Sequence, residues 1–319
     1  MAVVEALRSI PVFQPLDQGI LEPIAELCGT ELFDKGDNVF RKGDLGNRMF
    51  FIQRGQVDVV GTASSGTEFP LSQIGSGDFF GETGMLGDNS YGTTTVVKED
   101  LISLVLRRQD FIALLDEYPE SALELLKSVG RQLSHRVRQL NEQFLFTRSL
   151  ANTLEDVETN DSDRLEHPDA METLALDSQT FEFLRTMGEE VSLGQDEILV
   201  PEGGRQRDFY ILEDGRAIVQ KKLPGGESLV LAFIIAGGIF GEMSFLDHGF
   251  RSAEMRSLSP VKLRAYWGNS LDRLSQTDIE RLNKVYLGII RHMCANYNLT
   301  GEDYLEAKYK IYLTLHPED

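Results

Sequence analysis

The second half of the chain carries a glutamate and an arginine at a spacing that suits a small phosphorylated ligand. Glu242 follows the glycine-rich run Gly237–Gly241, and Arg251 follows Glu242 by nine residues. Glycines let the backbone approach a ligand closely, and a short helical turn after Gly241 would aim amide groups at an anion. An arginine binds a phosphate through two parallel hydrogen bonds, while a carboxylate accepts hydrogen bonds from sugar hydroxyls. These residues predict a site for a compact nucleotide.

The Phe-Gly-Glu triplet of this site occurs twice because the chain contains an internal repeat. Adding 160 to a residue number carries Phe80-Gly81-Glu82 onto Phe240-Gly241-Glu242, and the match runs without insertion or deletion from Leu16 to Glu82. Repeated glycines mark positions where both copies need the same turn or close approach. A constant offset of this kind indicates a duplicated domain, and 319 residues suit two domains of ordinary size.

Each copy has the same order of predicted elements. A short helix opens it, β-rich runs such as 49–60 and 208–220 follow at close spacing, and a helix ends it. Many short strands punctuated by glycine turns are typical of a small antiparallel barrel or jelly roll. We therefore expect a mainly β fold of two jelly-roll-like β-rolls, each flanked by N- and C-terminal helices. The expected domains are residues 1–158 and 173–319, joined by an acidic linker at 159–172.

The helices that end the two copies differ in their apolar pattern. In the first, residues 122–154 contain a seam with alternating steps of four and three: Leu133, Val137, Leu140, Phe144, Thr147, Ala151 and Leu154. This seam is typical of a coiled coil and predicts a homodimer through helix 122–154, the alternative being a helix that packs along its own barrel. In the second copy, the face from Ile279 to Tyr297 is an ordinary amphipathic face and favours packing in the core.

On these residues the chain resembles the cyclic nucleotide-binding domain family, which includes the catabolite activator protein and the regulatory subunits of cyclic-nucleotide-dependent kinases. In that family a β-roll carries a phosphate-binding cassette of the form F-G-E, nine or ten residues, then R-[S/T/A]-A. The second copy matches with Phe240-Gly241-Glu242 and Arg251-Ser252-Ala253, and the run Gly43–Ile52 of the first copy is equally similar. The resemblance covers nearly the whole chain.

The resemblance implies a role for each residue of the second cassette, residues 237–253. Glu242 would bind the ribose 2′-hydroxyl and Arg251 the cyclic phosphate. The remainder of the cradle would come from Gly241, Met243, Ser252 and Ala253. The Arg-Ser-Ala run leans towards cAMP over cGMP. An aromatic residue of the C-terminal helices would cover the base, with Tyr297, Tyr304 and Tyr309 as candidates and packing as their alternative role.

Two features depart from the family pattern. In the first cassette, residues 77–94, Tyr91 and Gly92 stand where the arginine is expected, the loop reads as one residue longer, and no other arginine lies in it. We expect a degenerate site that is empty or holds an uncharged ligand, with a weak site built from Gly81, Glu82, Thr93 and Thr94 as the minor alternative. In the second copy, Glu254 is unusual after Arg-Ser-Ala, and strand alternation is expected to turn it away from the phosphate.

The net charge of −20 argues against a surface that binds nucleic acid or an anionic membrane. A local basic stripe is conceivable at Lys127, Arg131, Arg136 and Arg138, which we interpret as a solvated helix face. No basic recognition helix follows the first copy, so DNA binding is not expected. No apolar run reaches membrane-spanning length. Two widely separated cysteines, Cys28 and Cys294, favour a reducing compartment, and we expect a cytoplasmic protein.

No catalytic motif is present, and the five histidines have no metal-ligand spacing, so neither an enzyme nor a metal or other cofactor is expected. The predicted function is a regulatory sensor that binds cAMP or cGMP in the second domain. Nucleotide would change the placement of the helices beside the roll and so signal to a separate, unidentified effector protein. The alternative is a ligand-independent scaffold in which both rolls only bind protein.

Overall fold

A computed structural model of the protein describes residues 2–87, 89–154, 173–222 and 228–316. The predicted acidic linker, 159–172, lies outside these residues. The chain forms two compact units: Met1–Glu158 together with Ile290–Asp319, and Thr159–Ile289. The predicted second domain, 173–319, therefore includes a C-terminal segment that the structure groups with the first unit.

The first unit is a β-roll between helices. Its helices are α1 (Ala2–Arg8), α2 (Gln18–Leu27), α3 (Glu82–Leu86), α4 (Arg108–Glu117) and α5 (Pro119–Leu154), with a 3₁₀ turn at Pro11–Phe13. Its strands are β1 (Gly29–Phe33), β2 (Asn38–Phe40), β3 (Arg48–Thr62), β4 (Glu68–Gly75), β5 (Phe79–Phe80) and β6 (Thr94–Arg107). All pairings are antiparallel, and the long strands β3 and β6 form the centre of the sheet in the order β1-β6-β3-β4.

The second unit repeats this plan with shorter strands. Its helices are α6 (Ser178–Met187), α7 (Glu242–Asp247), α8 (Gly268–Asp272), α9 (Leu274–Thr277) and α10 (Ile279–Leu315). Its strands are β7 (Glu189–Leu193), β8 (Ile198–Val200), β9 (Phe209–Asp214), β10 (Arg216–Lys222), β11 (Ser228–Ile235), β12 (Ile239–Phe240), β13 (Glu254–Ser257) and β14 (Val261–Tyr266). The residues of α10 from Ile290 onwards belong to the first unit.

Strand register and aromatic packing repeat with the same offset as the sequence. Phe50 pairs with Phe80 in the first roll, and Tyr210 pairs with Phe240 in the second. Both pairs stack, with ring centroids 4.9 Å and 5.0 Å apart. These rings belong to the apolar interior of each roll. The predicted fold of two antiparallel β-rolls with flanking helices is therefore confirmed.

The offset of 160 residues continues through the first cassette. Asn38 faces Val96 in the first roll as Ile198 faces Arg256 in the second. Within the cassettes, the Gly43 amide donates to the Tyr91 carbonyl at 2.8 Å, and the Gly203 amide donates to the Arg251 carbonyl at 2.9 Å. The expected extra residue in the first loop is therefore wrong. Tyr91 is the structural equivalent of Arg251.

The apolar seam of α5 is covered by the chain itself. Leu133, Val137, Leu140 and Phe144 are all buried. Leu140 and Phe144 pack with Tyr304 from the C-terminal half of α10, in the same unit. The seam thus has contacts within the chain, with a helix that the sequence did not name as its partner, and the homodimer stays a prediction. The side chains of Ala151 and Leu154 lie outside the described residues.

Glycine is required inside β3, where the long strand bends. Gly55 has φ +103°, and a Cβ there would lie 2.4 Å from the Asp100 carbonyl oxygen. Gly66 also has a positive φ, +88°, but a Cβ there would meet no atom within 4 Å. A side chain at Gly66 would thus cause backbone strain alone, whereas a side chain at Gly55 would cause both strain and crowding.

We expect Gly66→Ala to lower the free energy of unfolding by about 1 kcal/mol through left-handed strain alone. Gly55→Ala should cost about 3 kcal/mol, because the backbone of β6 must also move. Urea unfolding of the two variants tests this difference. Equal losses would show that crowding at the bend is unimportant.

Candidate functional site

The second cassette begins with a left-handed glycine and a short helix. Gly241 has φ +85° and precedes α7, as the predicted helical turn required. A Cβ at Gly241 would lie 2.5 Å from Nη1 of Arg251 and 2.7 Å from the Asp208 carbonyl oxygen. Glycine at this position therefore lets the arginine lie against the backbone.

Arg251 is held at both its backbone and its side chain. Its amide donates to the Gly204 carbonyl at 2.8 Å. Its Nη1 donates to the Gly241 carbonyl at 2.8 Å and its Nη2 to the Asp208 carbonyl at 2.6 Å. The side chain is buried, at 4% exposure. These contacts fix the guanidinium at the start of α7, beside Glu242.

The remaining predicted residues lie in the same loop. Glu242 is the first residue of α7 and is buried. Met243, Ser252 and Ala253 are half-buried. The structure therefore brings the predicted acceptor and the predicted cation together across Gly241, and their ligand roles stay predictions.

Sequence reasoning missed Asp208, whose carbonyl orients Arg251. Its carboxylate is buried and accepts a hydrogen bond from the Tyr210 hydroxyl at 3.0 Å. Burial raises the pKa of Asp208, while the Tyr210 hydrogen bond and the charge of Arg251 oppose the rise. The only signal in the sequence was an acidic residue directly before a buried strand, which names no partner.

Glu254 is the first residue of β13 and is itself buried, at 6% exposure. Its neighbour Met255 belongs to the apolar core. Oε1 of Glu254 accepts from Gln220 at 2.8 Å and from Nη2 of Arg256 at 3.1 Å. Arg256 thus compensates the negative charge of Glu254, and the orientation of Glu254 away from a phosphate stays a prediction.

In the first cassette, a tyrosine hydroxyl replaces the guanidinium. The hydroxyl of Tyr91 donates to the Arg48 carbonyl at 2.8 Å and accepts from the Arg48 amide at 3.2 Å. Arg48 is the equivalent of Asp208 in the 160-residue offset. The Tyr91 ring stacks on Phe40 with centroids 3.6 Å apart. The backbone contact of the lost arginine is thus kept, and its positive charge is not.

Glu82 nevertheless has a cation, which comes from α5. Nη1 of Arg136 donates to Glu82 at 2.9 Å, and Nη2 donates to Asp78 at 2.5 Å and to the Phe79 carbonyl. The Arg136 side chain is 12% exposed and that of Glu82 is 4% exposed. The expectation that Arg136 lies on a solvated helix face is therefore wrong.

The position of Arg136 on its helix was visible in the sequence. Arg136 lies three residues after Leu133 and four before Leu140, which are both buried. Residues at this spacing share one face of a helix. The sequence analysis instead grouped Arg136 with Arg131 and Arg138 in one basic stripe, and this grouping predicted a continuous polar face.

Two segments, residues 30–118 and 190–278, match the family model described as cyclic nucleotide-binding domain. Together they cover more than half of the chain. The chain belongs to the cyclic nucleotide-binding domain family. The two segments begin 160 residues apart, which is the offset of the internal repeat. The description of this family names a cyclic nucleotide as the ligand of the domain.

Several known proteins are similar to the chain. The cyclic AMP receptor protein of Thermus thermophilus is 28% identical over 127 residues, which are 40% of this chain and 59% of that protein. A cAMP-dependent protein kinase regulatory subunit of Debaryomyces hansenii is 25% identical over 272 residues, which are 85% of this chain and 50% of that protein. The chain thus spans about half the length of these relatives, whose names describe a receptor and a regulatory subunit rather than a catalyst.

Among solved structures, the regulatory domain of Toxoplasma gondii PKA crystallised with cAMP is also similar. It shares 19% identity with a TM-score of 0.33, over 87% of this chain and 92% of that chain.

The tyrosines expected to cover a base have packing contacts in the first unit. Tyr304 packs with Leu140 and Phe144, and Tyr297 lies against the same cluster. Tyr309 belongs to the same unit. For Tyr297 and Tyr304 the structure therefore shows the packing role that the sequence left as the alternative.

The sequence also allowed a weak nucleotide site in the first roll that would use the hydroxyls of Thr93 and Thr94. The structure gives these two residues different surroundings. Thr94 Oγ1 accepts a hydrogen bond from the Lys42 amide at 3.2 Å, so it supports the loop. Thr93 is half-buried, and Gly81 keeps the left-handed φ of +84° that its counterpart has. The backbone of the first cassette is therefore preserved, although the carboxylate of Glu82 is bonded to Arg136.

In the part of the chain that the structure describes, no group of three or more His, Cys, Asp or Glu side chains is arranged to hold a metal ion. None of the described helices combines the length and apolar character needed to cross a membrane. Both cysteines are free thiols, and burial raises the pKa of Cys28 to about 12.

Removal of Arg136 should leave the buried carboxylate of Glu82 without its cation, next to the half-exposed carboxylate of Asp78. We expect Arg136→Met to lower the free energy of unfolding by about 3–5 kcal/mol near pH 8. Burial already raises the pKa of Glu82 and Arg136 opposes that rise, so the variant should raise it further. A carboxyl whose pKa is raised by folding gains stability as the pH falls through that pKa, so the loss should shrink towards about pH 5.

Denaturant unfolding of wild type and variant at the two pH values measures this effect. The double variant Glu82→Gln/Arg136→Met is the control, because it lacks the carboxyl whose titration is invoked. A loss in Arg136→Met that is the same at both pH values would contradict the assignment to Glu82.

Proposed function

We propose that the chain is a regulatory sensor that binds one cyclic nucleotide in its second roll, with cAMP preferred over cGMP, and signals to a separate protein partner. It acts without catalysis of its own. We place it in the cytoplasm, in keeping with its two free thiols.

The observation that carries this proposal is the fixed position of Arg251. Two backbone carbonyls hold its guanidinium beside the buried Glu242, in a cassette that keeps the family pattern F-G-E and R-S-A. A guanidinium held in this way is preorganised for a phosphate, because little side-chain entropy remains to be lost on binding. Glu242 would then accept from the ribose 2′-hydroxyl, and Met243, Ser252 and Ala253 would line the cradle.

Signalling would begin at α7. Phe245 of α7 contacts Tyr286 of α10, with ring centroids 5.5 Å apart. Nucleotide bound at the N-terminal end of α7 would change the contacts of this helix. The contact between Phe245 and Tyr286 would transmit that change to α10. Ligand would thereby favour one placement of α10 over another, which is a population shift between two states.

The preference for cAMP rests on two supports. The relatives are named a cyclic AMP receptor and a cAMP-dependent kinase subunit. Ser252 beside Arg251 continues the Arg-Ser-Ala run that leans towards cAMP. The partner would be an effector protein that recognises the nucleotide-dependent placement of the helices.

The second candidate is a ligand-independent scaffold. It is favoured by the first roll, where Arg136 and Tyr91 complete the cassette without an external group. If the second roll also binds no nucleotide, both rolls would serve as protein-binding surfaces. Nucleotide titration separates the two candidates.

Calorimetric titration of the full chain with cAMP should give one bound nucleotide per chain, with weaker binding of cGMP. Arg251→Ala should weaken cAMP binding about ten- to a hundredfold, because a charge-assisted phosphate contact is lost. Arg216→Ala, an exposed arginine of the same roll, is the matched control and should bind like wild type. Absence of binding by wild type would establish the scaffold candidate, and unchanged binding by Arg251→Ala would remove the role of Arg251.

Affinity should also depend on pH through Asp208. The pKa of this buried carboxyl is raised, and a bound phosphate would raise it further, so binding takes up a proton. Binding should therefore tighten as the pH falls from neutral towards that pKa. Asp208→Asn should bind with a flatter pH profile over the same range. A wild-type affinity that is independent of pH would refute this role.

A further inference from the structure

The surroundings of Arg136 in the first roll form a complete receptor for a guanidinium group. Nη1 bonds to the carboxylate of Glu82, while Nη2 bonds to Asp78 and to the Phe79 carbonyl. Cζ lies 4.5 Å from the centroid of the Phe79 ring. Two carboxylates, one carbonyl and one aromatic face therefore enclose one cation.

We propose that the first cassette has reversed its charge preference and is now a guanidinium-binding site, with Arg136 of the same chain as its resident ligand. The site would accept no cyclic nucleotide. This inference concerns the first roll alone and does not depend on nucleotide binding in the second.

The reversal is visible in residues at equivalent positions. Tyr91, which is neutral, stands where the second cassette has Arg251, and Asp78 stands where it has Gly238. Both exchanges make the first site more negative. Arg48 does not offset them, because its guanidinium bonds to Glu31 at 2.9 Å.

The geometry suits a guanidinium better than an ammonium. Separate nitrogens of one planar group reach Glu82 and Asp78, which an ammonium on a flexible stem cannot match. The two carboxylates raise the pKa of Arg136 against the lowering effect of its burial, so the group stays charged. Gln132, one turn earlier on α5, also reaches Asp78, at 3.5 Å.

The same arrangement explains why a nucleotide is excluded. A phosphate entering the cassette would face Glu82 and Asp78 without the cation that Arg251 supplies in the second roll. The carboxylate that would accept a ribose hydroxyl is already bonded to Arg136. Glu82 is therefore retained because it anchors α5.

Chemical rescue tests the proposal on the full chain. Arg136→Ala should lower the melting temperature of the first unit by about 10 °C, as expected for a buried pair left without its cation. Methylguanidinium at low millimolar concentration should recover a large part of that loss. Methylammonium and methylurea, which lack either the planar fork or the charge, should recover little.

Wild type and Arg131→Ala are the matched controls. Arg131 lies on the same helix, and its Nε donates to the Lys127 carbonyl at 3.2 Å, outside the receptor. Neither protein should gain stability from methylguanidinium. Equal effects of the three additives on Arg136→Ala, or a variant that melts like wild type, would overturn the proposal.

If Arg136→Ala does not fold, Arg136→Lys replaces it. The lysine variant should melt below wild type, and Glu82→Gln should cost less in its background than in the wild-type background. Additive effects of the two substitutions would overturn the proposal, since the site requires them to be coupled. Titration with cAMP is a separate measurement: a second nucleotide bound per chain in wild type would also refute it.

Discussion

Both rolls depend on a hydrogen bond from the cassette loop to a residue at the beginning of a strand inside the sheet: Arg48 is the first residue of β3, and Asp208 directly precedes β9. In the second roll, Nη2 of Arg251 donates to the Asp208 carbonyl at 2.6 Å. In the first, the Tyr91 hydroxyl donates to the Arg48 carbonyl at 2.8 Å. The donor closes the loop against the sheet, so it satisfies a buried carbonyl and positions the glycine and glutamate of the cassette. Either donor preserves the fold, but only arginine leaves a positive charge in the site.

The two cassettes differ because an arginine both closes the loop and supplies a positive charge, whereas a tyrosine only closes the loop. Once tyrosine satisfies the carbonyl, the first cassette retains a buried glutamate whose charge needs a partner. Arg136 provides it from a helix that already lies against the roll, together with the contact to Asp78. In the second cassette, Glu242 begins α7 and Arg251 donates to the Gly241 carbonyl directly before it. One duplicated loop therefore holds a buried arginine of its own in one roll and takes its arginine from a distant helix in the other.

The repeat and the β-rolls could be predicted because they depend on local patterns with a fixed offset, and the same patterns placed the residues of the second cassette in one loop, with their ligand roles still predictions. The partner of Glu82 could not be predicted from the loop, because it lies 54 residues away on a helix whose rotation was inferred from a charge run. The position of Tyr304 was missed for a related reason. Helical periodicity identifies the buried face of α10 but not the roll against which its C-terminal half packs. Long-range packing of this kind requires the three-dimensional structure.

The sharing of α10 between units has a consequence for the order in which the protein folds during synthesis. The first roll leaves the ribosome early, but Leu140 and Phe144 acquire their partner Tyr304 only after the second repeat has been made. Loop closure across the intervening repeat is costly, and apolar surface on α5 stays uncovered in the nascent chain until then. The N-terminal unit is therefore the first to begin folding and the last to be completed.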